Sequence, residues 1–560
     1  MGYQISPGTN VSEIDLTTVV PSVLTTAGAF AGTFVWGPAN QVVLVDSEIT
    51  LSQIFGTPDS NSAISFFTSA NFLAYGNNLS VVRAIGSNCK NASANSSASI
   101  QVDNDSTFQY SYLNQNNSNA FGPFVARYAG ALGNSISVTV IDTGNTARSD
   151  LFTSAPGTSD YAHNVGGAND EIHIAVVDTG GLFSGIKNTV LETFPFVSKA
   201  SDAVNLNNGS SNYYKQVIFN NSKYVYAIDP ADYSNTSSTW GTTAANKTFA
   251  SISPKMISYT LSAGADEVPT DANIISGFNL FANKETIDIS LLLTGNSSPT
   301  VQQTVMSLAA TRQDCVAFVS PPPDAVINNA GSESADVVSW STALTPSSYV
   351  VADSNWKYQF DVYNNTYRWI PLNGDIAGLC VYTDTARDPW YSPAGFNRGQ
   401  VKNAVKLAWN PSKTYRDTLY AAGINPVVSF PGQGIVLFGD KTLQVKPSAF
   451  DRINVRRLFI VLEKAISKAA QFSLFEFNDE FTRAQFVALV TPFLRDVQGR
   501  RGITDFKVVC DTTNNTPQVI DSNQFVGDIY IKPARSINFI QLNFVAVGTG
   551  VDFNTIIGAA

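Results

Sequence analysis

A multidomain protein mixing α/β and α+β folds is what this sequence predicts, and three features carry the prediction. The first is length: 560 residues are too many for one hydrophobic core. The second is a strand–helix–strand unit. Thr286–Leu293 ends on Leu291-Leu292-Leu293, Val301–Arg312 is helical, and Cys315–Val319 stops at Pro321-Pro322-Pro323. That spacing demands a parallel crossover. The third is contrast along the chain, with a β-rich block over 121–224 and strong helical periodicity only in the last third.

Taken in order, residues 1–20 read as an extended arm. Ser6-Pro7-Gly8 is a turn signal, and Val11–Thr18 has β-type residues without helical period. Residues 21–86 open an α/β domain: two short strands around Trp36-Gly37-Pro38, a helix over Ser62–Tyr75 and a strand over Leu79–Ile85. From Ser87 to Ala120, eight of 34 residues are Asn and eight are Ser, a composition expected to bury little. With the β-rich stretch that follows, including strands over Ser135–Ile141 and Glu171–Val177, it forms an inserted, outward-lying domain over 87–224. Residues 225–368 resume the α/β domain, 369–534 form a C-terminal domain, and 535–560 form a terminal strand and arm. Val455, Leu458, Phe459, Leu462, Ile466 and Ala469 place one apolar stripe on a helix. Phe486, Leu489, Val490, Phe493, Leu494 and Val497 repeat the pattern after a cap at Asn478-Asp479, and Gly499 and Gly502 end it. Strands follow at Phe506–Cys510, Asp528–Ile531 and Asn538–Val547.

Bulk chemistry narrows function. Lys and Arg number 34 against 44 Asp and Glu, so the net charge of −10 disfavours nucleic acid or an anionic membrane as a direct partner. Only 14% of residues are charged; a surface of Asn, Ser and Thr repels copies of itself weakly. Cys89, Cys315, Cys380 and Cys510 are far apart and read as buried free thiols in a reducing compartment. Without a signal peptide or a membrane-spanning apolar run, the chain is expected in a cytoplasm, with no membrane insertion.

Catalytic and cofactor motifs fail on their chemistry. Gly434-Ile435-Val436-Leu437-Phe438-Gly439-Asp440-Lys441-Thr442 approaches a P-loop, but Asp440 separates glycine from lysine and would repel phosphate, and Ile-Val-Leu-Phe is strand-like. Gly432-Gln433-Gly434 has no third glycine in register. The only histidines, His163 and His173, lack paired cysteines for a metal and a nucleophile elbow for a triad. Met1-Gly2-Tyr3-Gln4-Ile5-Ser6 fits the myristoylation pattern, but a single chain without a polybasic patch anchors weakly. No cofactor or metal is expected, and the chain reads as a structural protein rather than an enzyme.

Several long runs carry a family resemblance. Trp369-Ile370-Pro371-Leu372-Asn373-Gly374-Asp375-Ile376-Ala377-Gly378, Asp388-Pro389-Trp390-Tyr391-Ser392-Pro393-Ala394-Gly395 and Gly423-Ile424-Asn425-Pro426 are three of them. Phe450-Asp451-Arg452-Ile453-Asn454-Val455-Arg456-Arg457 and Ile531-Lys532-Pro533-Ala534-Arg535-Ser536-Ile537 are two more. Together with Ser6-Pro7-Gly8, Phe34-Val35-Trp36-Gly37-Pro38 and Asp314-Cys315-Val316-Ala317-Phe318-Val319-Ser320-Pro321, they resemble the tail sheath proteins of T4-like contractile phages. Between 87 and 120 the resemblance is weak. It implies a virion protein, assembled in the host bacterial cytoplasm, that stacks in hexameric rings around a tail tube. On a baseplate signal the sheath shortens and drives the tube through the host envelope for genome ejection, using subunit rearrangement and no nucleotide. Its partners would be itself, the tail tube protein, and baseplate and tail terminator proteins. The C-terminal domain, completed by the N-terminal arm, would lie innermost. Alternatives are the sheath of a phage-derived, bacteriocin-like injection system, an α/β nucleotide-binding enzyme using Gly434–Thr442, and a phage fibre.

Two residue sets follow. Open helical polymers need head-to-tail interfaces, and unpaired terminal strands can add to a neighbour's sheet edge. Val11, Glu13 and Asp15 of the arm and Ile540, Leu542 and Phe544 of the last strand are the candidates. Between Asp451 and Gly502, nine Lys or Arg face six Asp or Glu, a local excess of three positive charges. Arg456, Arg457, Arg483, Arg495, Arg500 and Arg501 lie on or beside the two amphipathic helices. With the apolar stripes facing inward, some of these arginines are expected on an outer face against an acidic tube; internal pairing is the competing reading for each.

Overall fold

The computed structural model describes Val20 and residues 23–97, 99–113, 121–148, 150–230, 239–538 and 540–541. It divides into two units, one of residues 20–474 and one of residues 1–19 with 475–560.

The larger unit is organised by a seven-stranded sheet. Its spatial order is Ile424–Asn425, Val350–Asp353, Val316–Val319, Leu291–Leu293, Gly28–Gly32, Leu79–Arg83 and Val42–Val45. Every neighbouring pair is parallel except the last. The three central strands, Val316–Val319, Leu291–Leu293 and Gly28–Gly32, are apolar throughout and fully buried, as a parallel sheet covered on both faces requires. The helices Ala63–Leu73, Asp271–Asn279, Pro299–Arg312 and Asn373–Ala386 supply the cover, and Ser298, with Pro299 at the first helical position, caps the third. Gly374 and Gly378, one turn apart, let Asn373–Ala386 sit close against its neighbours. A Cβ would lie 2.4 Å from the Thr68 carbonyl at the first and 2.4 Å from the Tyr75 ring at the second.

Leaving the sheet after Arg83, the chain builds a second core and returns at Asp271. Here Thr189–Ser198, Glu171–Asp178, Ile136–Asp142 and Met256–Thr260 form an antiparallel sheet, and Phe124–Ala126 pairs with Val225–Ala227. The buried Arg83 guanidinium ties this body to the sheet by donating to the carbonyls of Phe34, Val35, Gly37 and Ala129.

Two expectations need correction here. The Asn/Ser-rich segment is not simply an exposed loop: Cys89, Asn91, Ala92, Ser93, Ile100, Val102 and Phe108 are buried. Asn91 replaces solvent with protein, donating to the Ala126 carbonyl and accepting from the Val102 amide. The inserted sheet also does not stop at 224, because Met256–Thr260 pairs along Ile136–Asp142.

Nor does the chain divide near 369. Trp356–Asp361, Thr366–Pro371 and Lys406–Leu407 form a three-stranded antiparallel sheet, Val427–Phe430 pairs with Gly434–Leu437, and the helix Ile453–Ala470 completes the larger unit. The smaller unit packs the helix Glu480–Gly499 on the antiparallel pair Ile503–Val509 and Asp528–Pro533. Asp479 caps that helix by accepting from the Thr482 amide at 2.8 Å. Phe486, Val490, Leu494 and Val497 are its buried stripe, each worth roughly 1.5–3 kcal/mol.

Candidate assembly interfaces

In the smaller unit, Ile503–Val509 and Asp528–Pro533 have only each other as ladder partners among the described residues. Among the described residues each keeps an outer edge, whose backbone donors and acceptors can template another strand. The helix Glu480–Gly499 packed on the pair supplies the support that two strands alone lack, which leaves the edges available for a link. Of the strand candidates, Ile540 is described and 78% exposed, with Ile537 at 83%. Val11, Glu13, Asp15, Leu542 and Phe544 lie outside the described residues, as does most of the expected strand Asn538–Val547. The same unit leaves Phe475, Phe477 and Phe481 at 105%, 84% and 73% exposure, apolar surface of a kind that marks interaction sites.

The six tube-facing candidates separate sharply: Arg456, Arg457 and Arg483 are buried, as the competing reading of internal pairing has it, and Arg495, Arg500 and Arg501 are not. Arg457 is buried and forks onto Asp384 at 2.7 and 2.6 Å, with the Cys380 and Thr25 carbonyls at 3.4 Å. Burial pushes its pKa down, but the Asp384 carboxylate outweighs burial and holds it above the ordinary arginine value. Arg456 donates to Ser348 Oγ at 2.8 Å and Tyr349 Oη at 3.2 Å and lies over the Phe450 and Tyr349 rings. Arg483 is 7% exposed and donates to the Asn478 carbonyl and to Asn478 Oδ1. Arg495, Arg500 and Arg501 are exposed. Arg500 pairs with Asp496, one helical turn back, at 3.5 Å, and that exposed pair is worth little. Arg501 adopts φ 68° just past the helix end, a left-handed position expected of glycine.

The P-loop-like segment folds as a hairpin strand. Gly434–Leu437 pairs with Val427–Phe430, and no helix forms over 438–448. Asp440 is buried against Arg452 at 3.3 Å. Lys441 turns inward, donating to the Tyr420 carbonyl at 2.7 Å over the Tyr420 ring, and Thr442 Oγ1 donates to the Phe450 carbonyl. The groups a phosphate loop would present are thus engaged internally. His173 is buried between Phe152 and Phe196, with Nδ1 accepting from the Phe196 amide and Nε2 near the Ser154 carbonyl, so burial pushes its pKa down. His163 lies in the last turn of the short helix Asp160–Asn164. All four cysteines are free and buried, and burial pushes the Cys315 and Cys380 thiols up to about 12. Among the described residues no three His, Cys, Asp or Glu side chains gather as a metal would require.

Sequence comparison adds family matches over three stretches. Residues 25–84 match the tail sheath protein Gp18 domain III N-terminal region. Residues 267–443 match the phage tail sheath protein central domain, and 445–546 the phage tail sheath C-terminal domain. The tail sheath protein of Vibrio phage KVP40 is 35% identical over 676 residues, covering 99% of this chain and 100% of that one. The tail sheath protein of Enterobacteria phage T4 is 32% identical over 684 residues, covering 99% of each. Among solved structures, the helical sheath of the anti-feeding prophage in its contracted state aligns with a TM-score of 0.50 at 12% identity, over 97% of this chain and 99% of that one.

Proposed function

This chain belongs to the phage tail sheath family, and on that premise we propose that it polymerises in stacked hexameric rings around a tail tube and contracts to drive the tube through the host envelope for genome ejection. The observation that carries the proposal is similarity to tail sheath proteins along essentially the whole chain, at 35% and 32% identity. The chain is a structural component of the virion rather than an enzyme.

The open-edged strand pair of the smaller unit supports a specific linkage. A neighbour's arm, about residues 3–18, or terminal strand, 538–547, would add to one of these edges. Several backbone hydrogen bonds at roughly 0.5–1.5 kcal/mol net apiece would hold each joint. Such a joint persists while folded bodies rotate about it, so copies stay connected as the sheath shortens. Baseplate and tail terminator proteins would meet its two ends, and the polymer would assemble in the host bacterial cytoplasm. Arg495, Arg500 and Arg501 would meet an acidic tube surface through exposed ion pairs of roughly 0–1 kcal/mol each, weak enough to release.

The test is deletion of residues 1–18. An arm of this composition is expected to contribute little apolar core, so the truncated chain is expected as a folded monomer of unchanged melting temperature that forms no tubes. Tubes of normal length from the truncated chain would refute the linkage.

A further inference from the structure

The three-stranded sheet of the larger unit buries its ion pairs on one face and exposes aromatic rings at the outer end of the other. Along Trp356–Asp361 and Thr366–Pro371, side chains alternate between two faces. The face turned into the protein carries Lys357, Gln359, Asp361 and Arg368 beside Ile370. Lys357 is fully buried against Asp375 at 2.9 Å, Gln359 accepts from Asn71, and Asp361 is buried with Arg368 at 2.7 Å. The other face begins in the core with Trp356, which is fully buried, and with Trp369, which packs against that core; it then runs outward through Tyr358 to Phe360 and Tyr367. Phe360 and Tyr367 are 39% and 49% exposed, and Val362 at the adjoining turn is 65% exposed.

Rings on this face form one platform. Tyr358 stacks on Tyr367 at 5.3 Å and 14° and meets Trp369 at 4.7 Å, while Phe360 meets Tyr367 at 5.0 Å. Lys406, opposite Tyr358 in the ladder, lays its ammonium over Tyr358 and Trp369 at 5.0 and 5.6 Å. A sheet serving only its own core would point the exposed rings inward and the ion pairs outward. Aromatic side chains around a single cation are also the composition of a binding hot spot.

We propose that this face is a contact between copies of the chain, covered by a second copy in the assembled sheath; the proposal rests on the polymerising role above. The area selects that occupant. Side chains of this size, half or less exposed, offer on the order of 300–500 Å². A free-standing complex buries about 800 Å² per partner. The face is therefore too small to hold a partner alone, and fits a contact repeated along a polymer whose copies are already joined elsewhere.

Buried native thiols make the test clean, because a cysteine placed on this face is the one accessible thiol among the described residues. In the monomer, Tyr367→Cys reacts rapidly with a maleimide. In tubes of the pure chain the reaction is expected to be about tenfold slower, since only transient opening exposes the site. The double variant Phe360→Arg/Tyr367→Arg, altered only on the outward face, should remain a folded monomer with strongly reduced tube yield. If the chain forms tubes in which Tyr367→Cys reacts at the monomer rate, the proposal fails and the polymerising role stands. Protection only after tail tube protein is added would assign the face to that partner and overturn the proposal. A chain that never forms tubes overturns both readings.

Discussion

Replacing Arg457 by alanine tests the separation of inward from outward arginines. Its guanidinium sits 4% exposed, and the Asp384 carboxylate it holds is 5% exposed. Truncation leaves that carboxylate unpaired inside the protein, and breaking a buried pair in this way costs roughly 3–5 kcal/mol. The loss falls on the packing of Ile453–Ala470 against Asn373–Ala386 and on the Thr25 carbonyl that leads into the sheet. Urea unfolding is the assay. With a slope of about 3 kcal/mol/M or more for a body this large, the midpoint of the larger unit falls by on the order of 1 M. Restoring neutrality with Arg457→Met/Asp384→Leu should recover most of it, because two apolar groups in place of a buried pair are often neutral. The matched control, Arg495→Ala on the exposed helix face, should change stability by under about 0.5 kcal/mol. An Arg457→Ala midpoint equal to wild type would refute the reasoning and return Arg457 to the candidates for a tube contact.

Two further outcomes follow from the same geometry. Arg495→Glu/Arg501→Glu should leave folding and sheath–sheath contacts intact while weakening co-assembly on tubes most at low salt and less as salt rises, whereas Arg483→Glu, buried against Asn478, should destabilise the smaller unit; co-sedimentation with tubes and urea unfolding read the two effects. Asp353 is fully buried, and burial pushes its pKa up to about 7 against the hydrogen bonds from Ser320 and the Asn355 amide. The folded chain then holds a proton that the unfolded chain releases near pH 4, so this group's contribution to stability falls from about pH 4 to pH 7. Asp353→Asn should accordingly cost less stability at pH 8 than at pH 5, and an equal cost at both would contradict it.

How much was legible depended on whether the deciding interaction was local. The helices Ile453–Ala470 and Glu480–Gly499 show their apolar stripes in sequence, and the strand–helix–strand unit at 291–319 shows its parallel pairing. The fate of Arg457 does not show, because its partner Asp384 lies 73 positions away and the first two turns of its helix are buried on several sides. Asn91 was unreadable for a related reason: composition cannot distinguish an amide solvated by water from one satisfied by the Ala126 carbonyl. Met256–Thr260 belongs to the inserted sheet only through a register more than a hundred residues distant. The three-stranded sheet does leave a local trace. Trp356–Asp361 alternates aromatic and polar residues, but alternation alone does not say which face turns inward.

The most direct test of the central claim is negative-stain electron microscopy of the purified full-length chain, incubated with chelator and reductant and without nucleotide. The account predicts tubes built of stacked rings under these conditions. A chain that stays monomeric with and without tail tube protein, or that assembles only when ATP or a divalent metal is supplied, would contradict it.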